Sequence, residues 1–266
     1  MGFAPEWLAL REPADRTARD PAMLEAAAQL VGAGPVVDLG AGTGSTLRAL
    51  APSLPKSVDW RLIDNDAFLL ARAKAQHSGI ETTRCDLMSL SELPLTGTGM
   101  VTASALLDLV SEAWLAELVA RLAAEGLPFY AALSYDGHMR WQPELPLDRA
   151  ITEAFNADQR RDKGFGPALG PSACEIATRL FEGAGYAVSL APSPWRLHAG
   201  QAELQAQLLG GIAEAAARAG AASVEAWHRE RLSLLAGGEC EVGHLDLLAV
   251  PPAMVTQRKL RGGANG

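Results

Sequence analysis

The fold of this chain can be inferred from one stretch, Val36–Gly44, which reads VVDLGAGTG. A short apolar run, typical of a buried parallel strand, ends in an acid and is followed by three glycines spaced two apart. Glycines permit a tight turn and let the backbone approach a ligand closely. Residues 45–50 then follow a helical pattern, so the first amides of that helix would face whatever lies over the turn. The stretch predicts a strand, a turn and a helix that together bind a nucleotide-like ligand.

The kind of nucleotide follows from the glycine spacing. A dinucleotide fingerprint needs glycine at its first, third and sixth positions, but counting from Gly40 places Ser45 sixth. The sequence VDLGAGTG instead resembles the first motif of class I S-adenosylmethionine (SAM) dependent methyltransferases. That resemblance implies SAM as the cofactor. The residues implied to hold its methionine and ribose parts are Asp38, Gly40, Ala41, Gly42 and Gly44.

Asp64 follows a predicted second strand, Val58–Ile63. A carboxylate at the carboxyl end of this strand can accept hydrogen bonds from ribose hydroxyls in either cofactor class. The methyltransferase resemblance places Asp64 in this role and Asn65 beside it, although Asn65 or Asp66 can also cap the predicted helix 67–76.

A third acid favours SAM over a dinucleotide. Asp86 and Leu87 end a predicted third strand. The resemblance implies that Asp86 accepts from the adenine amine and that Leu87 packs on the ring. A dinucleotide site has no such requirement, so the order Asp38, Asp64, Asp86 indicates SAM.

Arg19 is the candidate ligand of the cofactor carboxylate. The stretch 15–20 resembles the arm that precedes the first motif in some small-molecule methyltransferases, where an arginine reaches that carboxylate. A solvated charge beside the predicted helix that Asp20 caps and Pro21 begins is an equally good interpretation.

The predicted fourth strand, Met100–Ser104, resembles the fourth motif, which lies beside the sulfonium, and Ser104 is assigned to the cofactor. The chain lacks the Asn/Asp-Pro-Pro-Tyr tetrad of amino-group methylases. Asp108 can take a proton from the substrate or cap the next helix, for which Ser111 is the better cap. His138 is a second candidate base, because an oxygen acceptor would gain from one.

The predicted fifth strand, 128–134, is followed by an excursion, 135–171, that contains a predicted helix at 148–159. Residues 160–167 are basic and glycine-rich, which fits either an anion-binding loop or a solvated one. Ser172 and Glu175 have the spacing of a capping box.

Two further predicted helices, 201–220 and 223–235, are inserted between strand six (186–190) and the last strand (240–250). A connection that leaves parallel strand six starts at the carboxyl edge of the sheet, so we expect the insertion to roof the substrate pocket. Trp227 and His228 are interpreted as the core of these helices. The candidate substrate-binding residues on the added segments are Tyr135, Trp141, Arg160, Arg161, Trp195 and Arg196.

Composition restricts the class of protein. The chain has 266 residues, of which 48% are hydrophobic and 20% charged, and a net charge of −8. A charge of this sign argues against a nucleic-acid partner held through its phosphates. Three distant cysteines without metal-ligand spacing, and no leader-like or bilayer-spanning run, favour a reduced cytoplasmic setting without a metal or a membrane partner.

We therefore expect an α/β protein with a Rossmann-like seven-stranded sheet, strand seven antiparallel, helices on both faces and a helical insertion at 198–238. An arm and first helix (1–34) would precede the methyltransferase domain (35–250), and a flexible tail (251–266) would follow it. The expected function is in-line transfer of a methyl group from SAM to a small anionic or aromatic acceptor. A SAM-binding sensor or subunit without turnover, or a nicotinamide-dependent oxidoreductase, is the alternative.

Overall fold

The computed structural model describes residues 4–256, which form a central β-sheet with helices on both faces. In this part of the chain the strands are β1 (Val36–Leu39), β2 (Trp60–Asp64), β3 (Ile80–Arg84), β4 (Met100–Ser104), β5 (Phe129–Gln142), β6 (Ala187–Pro192), β7 (Trp195–Leu197) and β8 (Glu239–Val250). The helices are α1 (Pro5–Ala18), α2 (Pro21–Ala28), α3 (Ser45–Leu50), α4 (Ala67–Gln76), α5 (Glu112–Glu125), α6 (Asp148–Gln159), α7 (Ala173–Gly183), α8 (Ala202–Arg218) and α9 (Val224–Ser233).

The sheet order is β3-β2-β1-β4-β5-β8-β6. Strands β1 to β5 pair in parallel, whereas β8 runs antiparallel to both β5 and β6. The predicted α/β fold with an antiparallel last strand is thereby confirmed, with β8 in the place of strand seven. The short strand β7 adds to it by pairing with the first residues of β8.

The centre of the sheet follows from its residue types. Val36 and Val37 of β1 are completely buried, as expected of a strand with a neighbour on each side and helices over each face. Capping hydrogen bonds fix where the flanking helices begin. The Asp20 side chain accepts from the Met23 amide at the start of α2, and the Asp66 side chain accepts from the first amides of α4.

Strand β5 is longer than the sequence predicted. It continues past Ser134 to Gln142, paired with β8 through two irregularities in register, so the stretch predicted as an excursion begins as a strand. Gly137, at φ +92°, lies within the second irregularity. Such a glycine suggests a turn in the sequence, although here it serves a bulge.

The inserted helices α8 and α9 form near their predicted bounds. They pack on α6 and on the outer ends of β5, β7 and β8, and together these elements enclose a separate apolar core. Trp227 is fully buried in it, as predicted. Other members of this core include Tyr135, Trp141, Ile151, Trp195 and Ile212.

Two other local expectations are corrected. The capping box at Ser172 does not form, because Ser172 ends a 3-10 turn at φ −89° and ψ 3°, and its side chain makes no cap hydrogen bond. Residues 5–18, for which the sequence predicted no helix, form the helix α1.

Part of the expected tail is described by the structure. Residues 252–256 are helical, and the basic residues of that tail, Arg258, Lys259 and Arg261, lie outside the described residues. The cysteines Cys85, Cys174 and Cys240 are all buried and free. Among residues 4–256, no helix combines the length and apolar character needed to cross a bilayer.

Candidate functional site

A cleft opens at the carboxyl ends of β1, β2 and β4. The glycine loop after β1 forms its floor, α1 forms one wall, and the segment that follows β4 forms another. The residues that line it are Leu8, Arg11, Asp15, Gly40, Ala41, Gly42, Thr43, Ser45, Thr46, Asp64, Asn65, Asp66, Leu69, Leu87, Ser104, Ala105, Leu106, Leu109 and Phe165. Most of the predicted cofactor-binding residues therefore surround a single cavity.

The glycine loop depends on its glycines for conformation and for space. Gly40, Gly42 and Gly44 have φ values of +64°, +52° and +87°, the left-handed region that disfavours larger residues. Helix α1 lies so close that a Cβ on Gly42 would stand 3.3 Å from the Leu8 side chain. The loop is thus shaped both for the turn and for close approach by α1.

Asp64 is fixed at the far side of the cleft. One carboxylate oxygen accepts the Gly42 amide at 2.8 Å, and the other accepts the Asp66 amide at 2.9 Å. Because a carboxylate offers about four acceptor positions, each oxygen can still accept one hydrogen bond from a ligand. Asn65 is exposed at the same edge and also lines the cleft.

The two residues predicted at the adenine end are separated. Leu87 is buried and lines the cleft, and its carbonyl accepts the Trp114 indole at 2.7 Å. Asp86 is exposed, accepts the Met88 amide at 3.0 Å, and is not among the lining residues.

Asp38 lies beneath the loop rather than in the cleft. Its carboxyl is buried between β1 and β4, where one oxygen accepts the Thr102 hydroxyl at 2.8 Å and the other has no partner among the described residues. Burial raises the pKa of Asp38 to about 7, although the Thr102 hydrogen bond and the Arg19 charge oppose the rise. Asp38 is accordingly not among the residues that line the cleft.

Arg19 is buried, with 2% of its surface exposed, so the alternative of a solvated charge is wrong. Its Nη2 donates to the Ser104 hydroxyl at 2.9 Å, while Nη1 is sealed from solvent without a partner in the described chain. Arg19 borders a small recess with Asp15 and Ser45, both of which also line the cleft. A buried guanidinium with an unused donor suits a carboxylate ligand.

Asp108 is not among the lining residues, although its neighbours Leu106 and Leu109 are. Its Oδ1 is buried without a partner among residues 4–256, and burial raises the pKa of this carboxyl to about 6, partly offset by a backbone hydrogen bond and the charge of Arg11. Asp108 does not cap α5, since Ser111 accepts the Trp114 amide there, as predicted.

The α1 wall was missed from sequence. Arg11 donates through Nε and Nη2 to Asp15 at 2.9 and 3.1 Å, and its guanidinium lies 5.0 Å from the centre of the Trp195 ring. The Trp195 indole also donates to Asp15, at 2.9 Å. The sequence could have indicated this wall through its helical spacing, which places Leu8, Arg11 and Asp15 on one face of a helix.

None of the six residues predicted to bind substrate lines the cleft. Tyr135, Trp141 and Trp195 are buried in the core of the insertion. His138 is exposed in a separate groove between β5 and α6, where its ring lies 3.2 Å from Asp136. Neither α8 nor α9 contributes a lining residue, so the expected roof is instead α1 together with the loop that contains Phe165.

The arginines assigned to substrate have partners elsewhere. Arg160 donates to the Asn156 carbonyl at 3.0 Å, and Arg196 pairs with Glu241 at 3.1 Å. Arg161 lies 3.7 Å from Asp158, whose carboxylate also pairs with Lys163 and Arg218.

Asp158 organises the basic loop. Its side chain is 1% exposed and pairs with Lys163 at 3.2 Å and with Arg218 of α8 at 3.0 Å. Burial would raise the pKa of Asp158, but hydrogen bonds from Arg218 and Lys163 outweigh it and hold the pKa below its ordinary value. These contacts anchor the loop whose Phe165 lines the cleft and meets the Trp114 ring edge-on at 5.6 Å.

With this sheet order and a glycine-loop cleft, the chain has the Rossmann-like fold of class I SAM-dependent methyltransferases, and solved structures that resemble it agree. One is an Anaeromyxobacter dehalogenans protein assigned to the type II methyltransferases, with 14% identity, a TM-score of 0.55 and coverage of 86% of this chain and 95% of that one. Another is the cyclopropane synthase MmaA2 of Mycobacterium tuberculosis, with 12% identity, a TM-score of 0.50 and coverage of 92% and 94%. The YcgJ protein of Bacillus subtilis has 15% identity, a TM-score of 0.50 and coverage of 86% and 97%. No protein-family model and no curated protein sequence matches the chain.

Proposed function

We propose that this protein transfers a methyl group from SAM to a small-molecule acceptor. The observation that carries the proposal is that the glycine loop and the Asp64 carboxylate line one cleft together with residues of α1. The rival nicotinamide chemistry is disfavoured because Ser45 stands where a dinucleotide loop needs its third glycine.

The residues present fit this cofactor. Asp64 retains two acceptor positions for the ribose hydroxyls, beside the buried Leu87 that would pack on the adenine. Arg19, with its unpartnered Nη1, would meet the carboxylate at the other end. The cofactor supplies an already activated methyl group, so the chain's own task is to align the acceptor and exclude water.

Several large side chains of the cleft lining are apolar. Leu8, Leu106, Leu109 and Phe165 would suit a small, partly aromatic molecule. Among the cations, Arg11 replaces the arginines assigned from sequence: Asp15 holds its Nε and Nη2, while Nη1 has no partner in the described chain and is not sealed from solvent. Because Asp15 balances its charge, Arg11 suits an oxygen of a carbonyl or carboxylate group on the acceptor.

Asp108 is the candidate base. For a hydroxyl acceptor, the O–H proton would pass to Asp108 as the new O–CH₃ bond forms and the S–CH₃ bond breaks. A carboxyl with a pKa of about 6 is ionised at neutral pH and can take that proton. The rate of methyl transfer should therefore fall as pH drops through about 6, and Asp108→Asn should remove this dependence.

Binding of S-adenosylhomocysteine tests the proposal directly. At about one hundred times its dissociation constant, this product should raise the free energy of unfolding by roughly 2.7 kcal/mol, whereas NAD should have no effect. Stabilisation by NAD but not by S-adenosylhomocysteine would overturn the assignment. Binding without turnover of any acceptor would favour the sensor alternative.

The Asp64→Ala substitution should remove two ribose hydrogen bonds. We expect it to weaken S-adenosylhomocysteine binding by about 2–4 kcal/mol, as measured by calorimetry. Asp108→Asn serves as the control and should change that affinity by no more than a few-fold. Equal losses in the two variants would contradict the separation of cofactor and acceptor residues.

A further inference from the structure

Arg48 of α3 joins three segments around the cleft. Its Nε and Nη2 bind the two carboxylate oxygens of Glu12 on α1, with 2.7 Å from Nη2 to Oε2. Its Nη1 donates to the backbone carbonyl of Thr43 in the glycine loop and lies 2.9 Å from Nε2 of His77, just after α4. Neither the cofactor contacts nor the acceptor chemistry proposed above uses this side chain.

The two groups bridged by Arg48 belong to the floor of the cleft and to one of its walls. Thr43 lines it from the loop, and α1, which carries Glu12, lines it through Leu8, Arg11 and Asp15. The space between this wall and the floor therefore depends on how firmly α1 is held to the loop.

We propose that Arg48 is a positioning residue that holds α1 against the glycine loop and thereby sets the width of the cofactor cleft. This inference rests on the proposed function, because it names a device of the same site. Arg48 acts through the Thr43 carbonyl and the Glu12 carboxylate rather than by touching the cofactor.

The chemistry of the junction requires arginine. The planar guanidinium fork matches both oxygens of Glu12 and leaves Nη1 for Thr43, whereas a lysine ammonium cannot hold both partners in fixed directions. His77 fits this arrangement, because burial and then the Arg48 charge hold the pKa of its ring below the ordinary value. A neutral ring nitrogen can accept the remaining N–H of Arg48.

The glycine at position 44 leaves room beside the Arg48 guanidinium. A Cβ on Gly44 would stand 3.6 Å from Arg48 Nη1, and Gly44 itself has a left-handed φ of +87°. Nearby, the Leu8 side chain of α1 would stand 3.3 Å from a Cβ on Gly42. Glu12 and Arg48 thus fasten α1 at a position where it already packs on the loop.

The consequence is a kinetic one. A bound cofactor enclosed between α1 and the loop leaves when these two elements separate, so breaking the Glu12–Arg48 pair should act mainly on the dissociation rate. We expect Arg48→Met to weaken S-adenosylhomocysteine binding about tenfold, mostly through faster dissociation. Arg48→Lys should fall between the wild type and Arg48→Met.

The experiment measures association and dissociation rates of S-adenosylhomocysteine for Glu12→Gln, Arg48→Met and the double variant. Because the two residues act as a pair, the double variant should bind no more weakly than Arg48→Met alone. Arg61→Met is the matched control: Arg61 pairs with Glu81 at 2.8 Å and is 21% exposed, against 23% for Arg48, but it joins β2 to β3 away from the cleft. Its variant should leave both rates unchanged.

The free energy of unfolding of each variant, measured with urea, separates positioning from general destabilisation. Glu12→Gln, at a half-exposed position on α1, keeps the test available if Arg48→Met does not fold. If the wild type binds S-adenosylhomocysteine with the same rates as Glu12→Gln or folded Arg48→Met, the positioning role is overturned and the proposed function is not. An equal loss of affinity in Arg61→Met also overturns the positioning role. If the wild type does not bind S-adenosylhomocysteine at all, both the positioning role and the proposed function are overturned.

Discussion

Asp38 illustrates what a motif can and cannot reveal about a single residue. The resemblance identified it as part of the cofactor loop, but the depth of a side chain depends on the neighbouring strand. Here Thr102 of β4 holds the carboxyl below the loop, away from the cleft. Asp64, by contrast, was placed correctly at the cleft because a residue at the carboxyl end of a parallel strand has only one edge to occupy.

The buried Asp38 should make stability depend on pH. Its pKa is about 7 in the fold and near 4 in the unfolded chain, so between these values the folded state binds more protons. The free energy of unfolding should therefore decrease as pH rises from about 4 to 7, by up to roughly 1.4 kcal/mol per pH unit.

Asp38→Asn retains an acceptor for Thr102 but removes the titrating charge. Urea unfolding at several pH values should show the variant gaining stability relative to the wild type as pH rises from about 4 to 7. A constant difference between the two proteins over this range would show that Asp38 does not titrate as described.

His244 should act in the opposite direction. The ring is buried against Trp195 and Tyr135, and burial, then the Arg11 charge, lower its pKa to about 3. Since the unfolded chain protonates this ring near pH 6.5, its contribution to the free energy of unfolding should be present above that pH and fall as pH drops toward about 3. His244→Gln should lessen this acid dependence, measured by urea unfolding at pH 5 and pH 7.5, and an unchanged slope would contradict it.

At the scale of single elements, prediction succeeded where periodicity and caps agree. Helix α6 has the bounds predicted for it, and α4 begins after the Asp66 cap. Helix α1 was missed because Pro13 lies within it, and proline normally ends a helix. Strand β5 was cut short because its outer part depends on pairing with β8, a contact between residues about 100 positions apart in sequence.

The loop between α6 and α7 should depend on Asp158. Asp158→Asn would leave Lys163 and Arg218 without their charge partner, although both can partly reach solvent. We expect a loss of about 1–3 kcal/mol in the free energy of unfolding and faster proteolysis of residues 160–167. Glu153→Gln, which breaks the exposed pair with Arg149 on the same helix, should change neither property. Equal effects in both variants would contradict the anchoring role.

At the scale of the whole molecule, the insertion and the cleft are separate structures on one sheet. The sheet order was predictable through the resemblance, but the place of α8 and α9 was not. The topology determines only the edge of the sheet at which the insertion begins. The apolar residues of the insertion pack on α6 and on the outer ends of the strands. The added aromatic residues consequently build a core rather than a substrate pocket.

This separation can be tested with Trp227, which is fully buried and donates to Asp148 at 2.8 Å. Trp227→Ala should lower the free energy of unfolding by about 3–5 kcal/mol, because it removes a large side chain from a packed core. Where the variant remains folded, its affinity for S-adenosylhomocysteine should stay within a few-fold of the wild type. Trp227→Phe provides a milder variant, and a large loss of affinity in that protein would show that the insertion controls the cleft.

The three buried cysteines allow local opening of the structure to be measured by thiol labelling. Cys85 lies near the adenine end of the cleft, Cys174 on α7, and Cys240 in the core of the insertion. Burial raises the pKa of all three thiols, to about 12 for Cys174 and Cys240, so a thiol reagent can label each one only when its surroundings transiently open. Labelling of the unmodified protein, followed by peptide mapping, would therefore time the opening of the cleft edge, the helical layer and the insertion separately, with no introduced probe.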